Sequence, residues 1–84
     1  MTPMYYVYIL LCSDNSLYTG ITNNLNNRFQ QHKNGKGGAY TRSHKPIKIV
    51  HRETCQTKPE ALKREAEIKS LSRSKKIKTL KLRI

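Results

Sequence analysis

The chain has 84 residues, with 17 Lys and Arg against 5 Asp and Glu, and a formal charge of +12 at pH 7. This length predicts one small domain, residues 1–84, and the charge favours a polyanionic partner, nucleic acid rather than a membrane surface. Cys12 and Cys55 form no Cys-x-x-Cys pair, which excludes a zinc ribbon and argues against a disulfide scaffold. The apolar run 5–12 is too short for a transmembrane helix and lacks signal-peptide flanks, so we expect a soluble cytoplasmic protein.

The first half of the chain predicts a β-hairpin followed by a helix. Residues 5–12 and 17–22 are rich in β-branched and aromatic side chains, and Asp14-Asn15 between them is typical of a turn. Residues 23–33 place Leu25 and His32 at helical spacing, and Gly35 predicts a left-handed end to that helix. A glycine-rich basic loop is expected over residues 35–46.

The second half predicts one more strand and two helices. Alternation over residues 47–54 favours a strand with Ile47, Ile49 and His51 on one face. Thr57 opens a capping box that begins a helix extending to about residue 71, and Ser72 caps a short helix over about 73–80. The order ββαβαα predicts an α+β fold with a small antiparallel sheet covered by helices.

Glu65 does not fit a purely structural role. It falls on the apolar side of the second predicted helix, together with Ala61, Leu62 and Ile68. A carboxylate there loses hydration energy unless it is paired or bound to a cation. Two interpretations remain: an ion pair with Arg28 or a lysine, or a divalent-metal ligand at the bottom of a cleft.

Arg28 and His32 form a second unusual pair. Arg28 is within about 60° of Leu25 on the first predicted helix, so its guanidinium points towards the sheet or its rim, where it can hold a phosphate through two hydrogen bonds. His32 follows one turn later and can exchange a proton beside the same phosphate. The alternative for His32 is an ordinary packed or capping histidine.

The strand tyrosines depend on the hairpin register. Tyr8 and Tyr18 share one face of the sheet when the loop has an odd number of residues or a bulge is present. A two-residue Asp14-Asn15 loop places them on opposite faces. Cross-strand packing is the alternative to a shared tyrosine site.

The loop over residues 35–46 and the C-terminal segment supply further candidates for nucleic-acid contact. Glycines in the loop let the backbone approach a phosphate closely, and Tyr40 either stacks on a base or fastens the loop to the core. Residues 73–84 contain 6 basic side chains and no acidic ones. The basic and glycine candidates are Lys36, Gly37, Arg42, Lys45, Arg73, Lys75 and Lys76.

Taken in order, these motifs resemble the GIY-YIG nuclease domain, and in particular its small stand-alone bacterial branch, an uncharacterised family. The loop from Gly35 to Arg42 is also similar to that of the Slx1-type nucleases in the same superfamily. The resemblance runs over residues 5–71 and leaves 72–84 as a basic C-terminal helix and tail. The motifs that carry it are Tyr6-Val7-Tyr8, Tyr18-Thr19-Gly20, Arg28-x-x-x-His32 and Ala61-Leu62-x-x-Glu65.

The resemblance implies a three-stranded antiparallel sheet flanked by helices and a single-metal endonuclease. The expected substrate is DNA, cut by structure or with weak sequence preference, and RNA stays open. Matched by position, Tyr8 would activate or orient the attacking water and Tyr18 would bond near the same phosphate. Gly20 would keep the strand surface open to substrate, Arg28 would stabilise the pentavalent phosphate, His32 would assist proton transfer, and Glu65 would hold Mg²⁺ or Mn²⁺ near the leaving 3′-oxygen.

Several positions depart from the family pattern. Tyr6 replaces the glycine of the first motif, and Thr19 replaces the middle residue of the second. Some members of the family have an asparagine near the C-terminal end of the domain, whereas no asparagine follows Asn34 in this chain. A partner protein is expected to supply specificity, since the chain has no attached recognition domain. The alternatives are a non-catalytic nucleic-acid-binding module on the same scaffold and a small basic ribosome-associated protein.

Overall fold

The structure, a computed structural model, describes residues 4–84 and confirms the predicted α+β fold. It contains one antiparallel sheet with the strand order β2-β1-β3. The predicted element order is confirmed with one addition, because the expected loop over 35–46 includes a short helix, α2. The elements are β1 (Tyr5–Cys12), β2 (Leu17–Thr22), α1 (Leu25–Lys33), α2 (Ala39–Ser43), β3 (Pro46–Cys55), α3 (Lys58–Lys69) and α4 (Arg73–Leu80).

The hairpin between β1 and β2 has the odd loop length that puts both tyrosines on one face. The Asn15 N–H donates to the Cys12 carbonyl at 2.9 Å, and Asn15 adopts a left-handed φ of 70°. Ser13 and Asp14 are therefore the central residues of the turn, and Asp14 and Asn15 both lie in a three-residue loop over 13–15. Of the registers that the sequence left open, this is the one with an odd loop length.

This register fixes the neighbours of the two tyrosines. Tyr8 lies opposite Gly20, and Leu10 lies opposite Tyr18. Tyr8 and Tyr18 consequently share the face of the sheet that packs against α1, with Leu25 of that helix in the same cluster.

Strand β3 departs from the simple alternation predicted for it. Its register shifts so that His51 lies opposite Ile9 but Ile49 lies opposite Leu10, which leaves Val50 as the extra residue. His51 and Ile49 are thus on opposite faces, and the prediction that they share one is wrong.

The other face of the sheet holds the larger apolar core. Val7 and Ile9 of β1 are completely buried there against Ala61 and Ile68 of α3. The Val and Ile side chains among them each contribute roughly 1.5–3 kcal/mol when they leave water. Helix α3 is therefore firmly held across β1 and β2, which fixes the position of Glu65.

The C-terminal segment is part of this core. Ile77 and Leu80 of α4 pack against it, and Leu82 is 7% exposed. The packing therefore continues past residue 71, where the motif resemblance in the sequence ends. Within residues 4–84, no helix is both long enough and apolar enough to cross a membrane.

The helix ends follow the predicted capping residues closely. Helix α3 begins after Thr57, whose hydroxyl accepts from the Glu60 N–H at 3.3 Å, and α4 begins after Ser72 in the same way. Helix α1 begins at Leu25 rather than at residue 23, because Asn24 is its cap and accepts from the Asn27 N–H at 3.1 Å.

Candidate active site

A buried hydrogen bond joins the first strand to the first helix. The Tyr8 hydroxyl lies 2.8 Å from His32 Nε2, and both side chains are almost fully buried, at 1% and 0% exposure. The two residues are 24 positions apart in sequence and meet because α1 packs on the face of β1 that presents Tyr8. The structure therefore brings together the candidate water-activating tyrosine and the candidate proton-transfer histidine.

Thr41 completes a chain of three polar groups. Its hydroxyl lies 2.6 Å from His32 Nδ1, and the residue is 1% exposed. Both ring nitrogens of His32 are thus paired, which fixes the orientation of the imidazole. Sequence reasoning missed Thr41 because it lies in α2, the helix that was expected to be loop, and no pattern in the sequence marks its hydroxyl as a partner for His32.

Burial keeps both members of the Tyr8–His32 pair neutral at pH 7. Desolvation is the main cause that raises the pKa of Tyr8 to about 12; Arg28 opposes this rise, whereas Glu65 adds to it through its negative charge. Desolvation also lowers the pKa of His32 to about 4, and the positive charge of Arg28 contributes in the same direction. A neutral imidazole has one acceptor nitrogen, so His32 can accept a hydrogen bond from the Tyr8 hydroxyl.

Two glycines make room for this pair. A Cβ at Gly20 would lie 2.6 Å from the Tyr8 hydroxyl oxygen, and a Cβ at Gly37 would lie 2.6 Å from His32 Cγ and closer still to Nδ1. Real Cβ contacts are essentially never this short. The space above Gly20, expected to lie open to substrate, is therefore filled by the Tyr8 phenol.

Arg28 lies beside this pair and is held by two uncharged groups. Its guanidinium donates to the Gln31 side-chain oxygen at 3.0 Å and to the Gly37 carbonyl at 2.9 Å. Arg28 is partly buried and does not form the ion pair with Glu65 that was one expectation. Among residues 4–84 its guanidinium has no ion pair with a carboxylate, and its remaining N–H donors can bind a phosphate.

An aromatic stack covers one side of the site. The Tyr18 and Tyr40 rings stack with centroids 5.6 Å apart, and Tyr40 stacks on His44 at 4.1 Å. The Tyr18 ring also meets the edge of His32 at 5.2 Å. Of the two roles expected for Tyr40, the structure shows the one that fastens the loop, although 37% of the residue remains exposed.

Glu65 lies on α3 with a side chain that is 18% exposed. Its neighbours Ala61 and Ile68 are buried as predicted, whereas Leu62 is 46% exposed and lies off the apolar face. The Glu65 carboxylate is 3.4 Å from the ammonium of Lys69, which is itself 55% exposed. The structure therefore shows the ion pair with a lysine that was one of the two interpretations, and because Lys69 is largely exposed this pair contributes little stability.

The chemistry of the donors restricts which cation could bind. Residues 4–84 contain no group of three or more His, Cys, Asp or Glu side chains placed to hold a metal ion together. Zinc needs three or four such ligands, whereas Mg²⁺ keeps several waters and binds through one or two carboxylates and substrate phosphates. Glu65 therefore fits Mg²⁺ or Mn²⁺ and does not fit a structural zinc.

Most of the basic candidates are exposed. Gly37 accepts a hydrogen bond from Arg28, and Thr41 is hydrogen-bonded to His32, so this loop is held beside the site. Lys36 and Arg42 are the sequence neighbours of Gly37 and Thr41 and therefore lie near the site as well. Arg73 donates to the Asn15 carbonyl at 3.1 Å, and that bond fastens α4 to the hairpin turn. Lys45 and Lys75 are also exposed, whereas Lys76 is half-buried and burial lowers its pKa.

The family model of the GIY-YIG catalytic domain matches residues 4–78. The chain belongs to the GIY-YIG family. This confirms the resemblance found in the sequence and assigns the chain to a superfamily whose members are generally nucleases.

Small bacterial proteins of similar length are close relatives. The chain is 49% identical over 76 residues to a UPF0213 protein of Staphylococcus epidermidis, covering 90% of this chain and 93% of the relative. It is 47% identical over 79 residues to a UPF0213 protein of Staphylococcus aureus, covering 94% and 96% of the two chains.

Two solution NMR structures share this GIY-YIG architecture. One is a UPF0213 protein from Bacillus halodurans, with a TM-score of 0.60 and 42% identity. The other is a protein from E. faecalis, with a TM-score of 0.65 and 40% identity. Each comparison covers 93% of this chain and 83% of the other.

Proposed function

We propose that the chain is a metal-dependent endonuclease that hydrolyses phosphodiester bonds in DNA and selects its substrate by structure rather than by sequence. The observation that supports this most directly is the buried bond between Tyr8 and His32, with the charge of Arg28 beside it. A merely structural tyrosine needs no neutral histidine held by a second hydroxyl group.

The hydrogen bonds of His32 support a path for the proton of the attacking water. In the tautomer that carries its proton on Nδ1, His32 donates to Thr41 and accepts from Tyr8 through Nε2. As a water oxygen attacks phosphorus, its proton passes to the Tyr8 oxygen and the phenolic proton passes to His32. The P–O3′ bond breaks, the 3′-oxygen takes a proton from solvent, and His32 later returns its proton to solvent.

Arg28 links phosphate binding to this proton path. Its guanidinium stabilises the negative charge that accumulates on the phosphate oxygens in the transition state. In the free protein, the same positive charge helps to lower the pKa of His32. A bound phosphate offsets that charge, so the pKa of His32 rises and the ring becomes a better base when substrate is present.

Glu65 is the residue that would hold the cation. Mg²⁺ or Mn²⁺ there would neutralise charge on the leaving oxygen. The negative charge of Glu65 also contributes to the raised pKa of Tyr8, which supports an electrostatic influence of this carboxylate on the phenol.

The test is cleavage of labelled linear duplex, single-stranded and branched DNA, and of RNA, with Mg²⁺ or Mn²⁺. EDTA removes the divalent cation from solution, and Glu65→Gln removes the carboxylate proposed to bind it. Glu67→Gln is the matched control, because its side chain is 52% exposed and pairs with Arg64 instead. We expect cleavage with the wild type and Glu67→Gln, and none with EDTA or Glu65→Gln.

Two results would overturn the proposal. Binding without cleavage across the whole panel would favour the non-catalytic module. Cleavage that survives both EDTA and Glu65→Gln would show that no cation at Glu65 takes part.

A further inference from the structure

A polar cleft of about 510 Å³ lies next to Arg28 and has no part in the proton path described above. It forms where the start of β1 and the end of β2 meet α1 and the first residue of α3. Its volume is in the range of sites that hold one small ligand, roughly 300–1,000 Å³. A single nucleotide fits such a space, whereas a stacked duplex does not enter it.

The lining of the cleft is rich in side-chain amides. Asn23, Asn27 and Gln31 line it, and within residues 4–84 the Asn23 and Asn27 amides make no side-chain hydrogen bond to the protein. An amide carries donors and an acceptor side by side, the pattern that pairs with the edge of a nucleobase. These side chains are therefore available to a ligand that offers the same alternation.

The rest of the lining suits a nucleotide. Tyr5 and Ile21 supply apolar surface, and an aromatic ring is a platform on which any base can stack. Arg28 and Lys58 are its charged residues, and both are positive. The cleft thus combines base-binding and phosphate-binding groups and has no carboxylate to repel a nucleic-acid strand.

Arg28 connects the cleft to the candidate active site. The Gln31 side chain, which lines the cleft, accepts one of its N–H groups, and the Gly37 carbonyl next to His32 accepts another. A phosphate bound by Arg28 would therefore have its neighbouring nucleotide at the mouth of the cleft.

We infer that the cleft binds one unpaired nucleobase of the strand whose phosphate contacts Arg28, an assignment that rests on the proposed nuclease function. A base in a duplex would first have to be unstacked at a cost of a few kcal/mol. Substrates with a nucleotide already unpaired beside the cut are consequently preferred, which gives a physical basis for selection by structure.

The test is an abasic scan of a single-stranded DNA octanucleotide. One residue at a time is replaced by an abasic sugar, and affinity is measured by fluorescence anisotropy in EDTA, so that no cleavage occurs. We expect affinity to fall about tenfold at one position, the loss that corresponds to one good amide–base pair. In Asn23→Ala/Asn27→Ala, the loss at that position becomes much smaller, since only the stacking on Tyr5 remains.

Asn26→Ala is the matched control, because Asn26 is next to Asn27 on α1 but lines a different groove, together with Arg52. It should retain the position-dependent loss. A wild-type affinity that is the same at every abasic position would overturn the inference, as would a loss that is undiminished in the double variant or disappears in the control.

A second measurement does not depend on any variant. In the NMR spectrum of the wild type, the side-chain amide signals of Asn23 and Asn27 should shift with the intact octanucleotide. They should shift much less with the oligonucleotide that is abasic at the sensitive position. Equal shifts with both would overturn the inference.

The two proposals can fail separately. A position-dependent scan together with no cleavage of any substrate would leave the base-binding cleft in place and refute the nuclease. The same affinity at every abasic position, together with metal-dependent cleavage, would refute the base-binding cleft and leave the nuclease function in place.

Discussion

Lowering the pH should destabilise the fold through His32, and the effect can be calculated from its surroundings. Burial and the charge of Arg28 lower the pKa of His32 from 6.5 to about 4 in the folded protein. Between these values the unfolded chain binds more protons than the folded one, so stability falls as pH decreases. The loss is only about 0.4 kcal/mol at pH 6.5 and vanishes above it, and the linkage relation gives about 2 kcal/mol at pH 5 and about 3 kcal/mol at pH 4.

The assay is urea unfolding at pH 7, 6 and 5 for the wild type and for His32→Gln, which cannot titrate. The difference between the two proteins cancels the effects of the other histidines and of increasing net charge. We expect the wild type to lose about 2 kcal/mol more than the variant between pH 7 and 5. Parallel pH dependence in the two proteins would show that His32 is not buried in its neutral form.

Three substitutions test the supports of the Tyr8–His32 pair and the role of Arg28. Thr41→Val keeps the shape but leaves His32 Nδ1 without a partner, so it should cost about 1–3 kcal/mol of stability in urea unfolding and lower kcat; unchanged values would rule out a positioning role. Gly20→Ala places a Cβ against the Tyr8 hydroxyl and should cost about 1–3 kcal/mol while broadening the His32 ring signals in NMR spectra, and a wild-type spectrum would contradict this. Arg28→Ala should abolish single-turnover cleavage with a modest loss of affinity; a large affinity loss with normal turnover would remove its transition-state role.

The sequence predicted the elements of the fold well because its local signals are strong. Thr57 and Ser72 cap α3 and α4 as expected, and Asn34 with Gly35 ends α1. A capping side chain acts on backbone groups within three residues, so neighbouring residues are enough to predict it. The candidate site residues were assigned to one site in a different way, from their positions in the ordered motifs along the sequence.

Features that depend on long-range geometry were not predictable in the same way. The hairpin loop could have had two or three residues, and the left-handed Asn15 decides between them. The bulge at Val50 depends on how β3 fits against β1. Helix α2 begins after a glycine-rich run with little helix propensity. Tertiary contacts such as the hydrogen bond between Thr41 and His32 hold it in place. Because that bond forms only in the folded protein, the sequence does not predict that Thr41 and His32 are partners.

The proposed proton transfer through Tyr8 is tested most directly by the single-turnover cleavage rate of Tyr8→Phe, compared with that of Tyr6→Phe. Both changes remove one phenolic oxygen from the same face of β1, but Tyr8 is the partner of His32. We predict that Tyr8→Phe remains folded and loses about 10²–10⁴-fold in rate, the usual contribution of a positioned proton-transfer group, while Tyr6→Phe stays within about twofold of the wild type. A Tyr8→Phe protein that cleaves at the wild-type rate would contradict the proposal that this phenol accepts the proton of the attacking water.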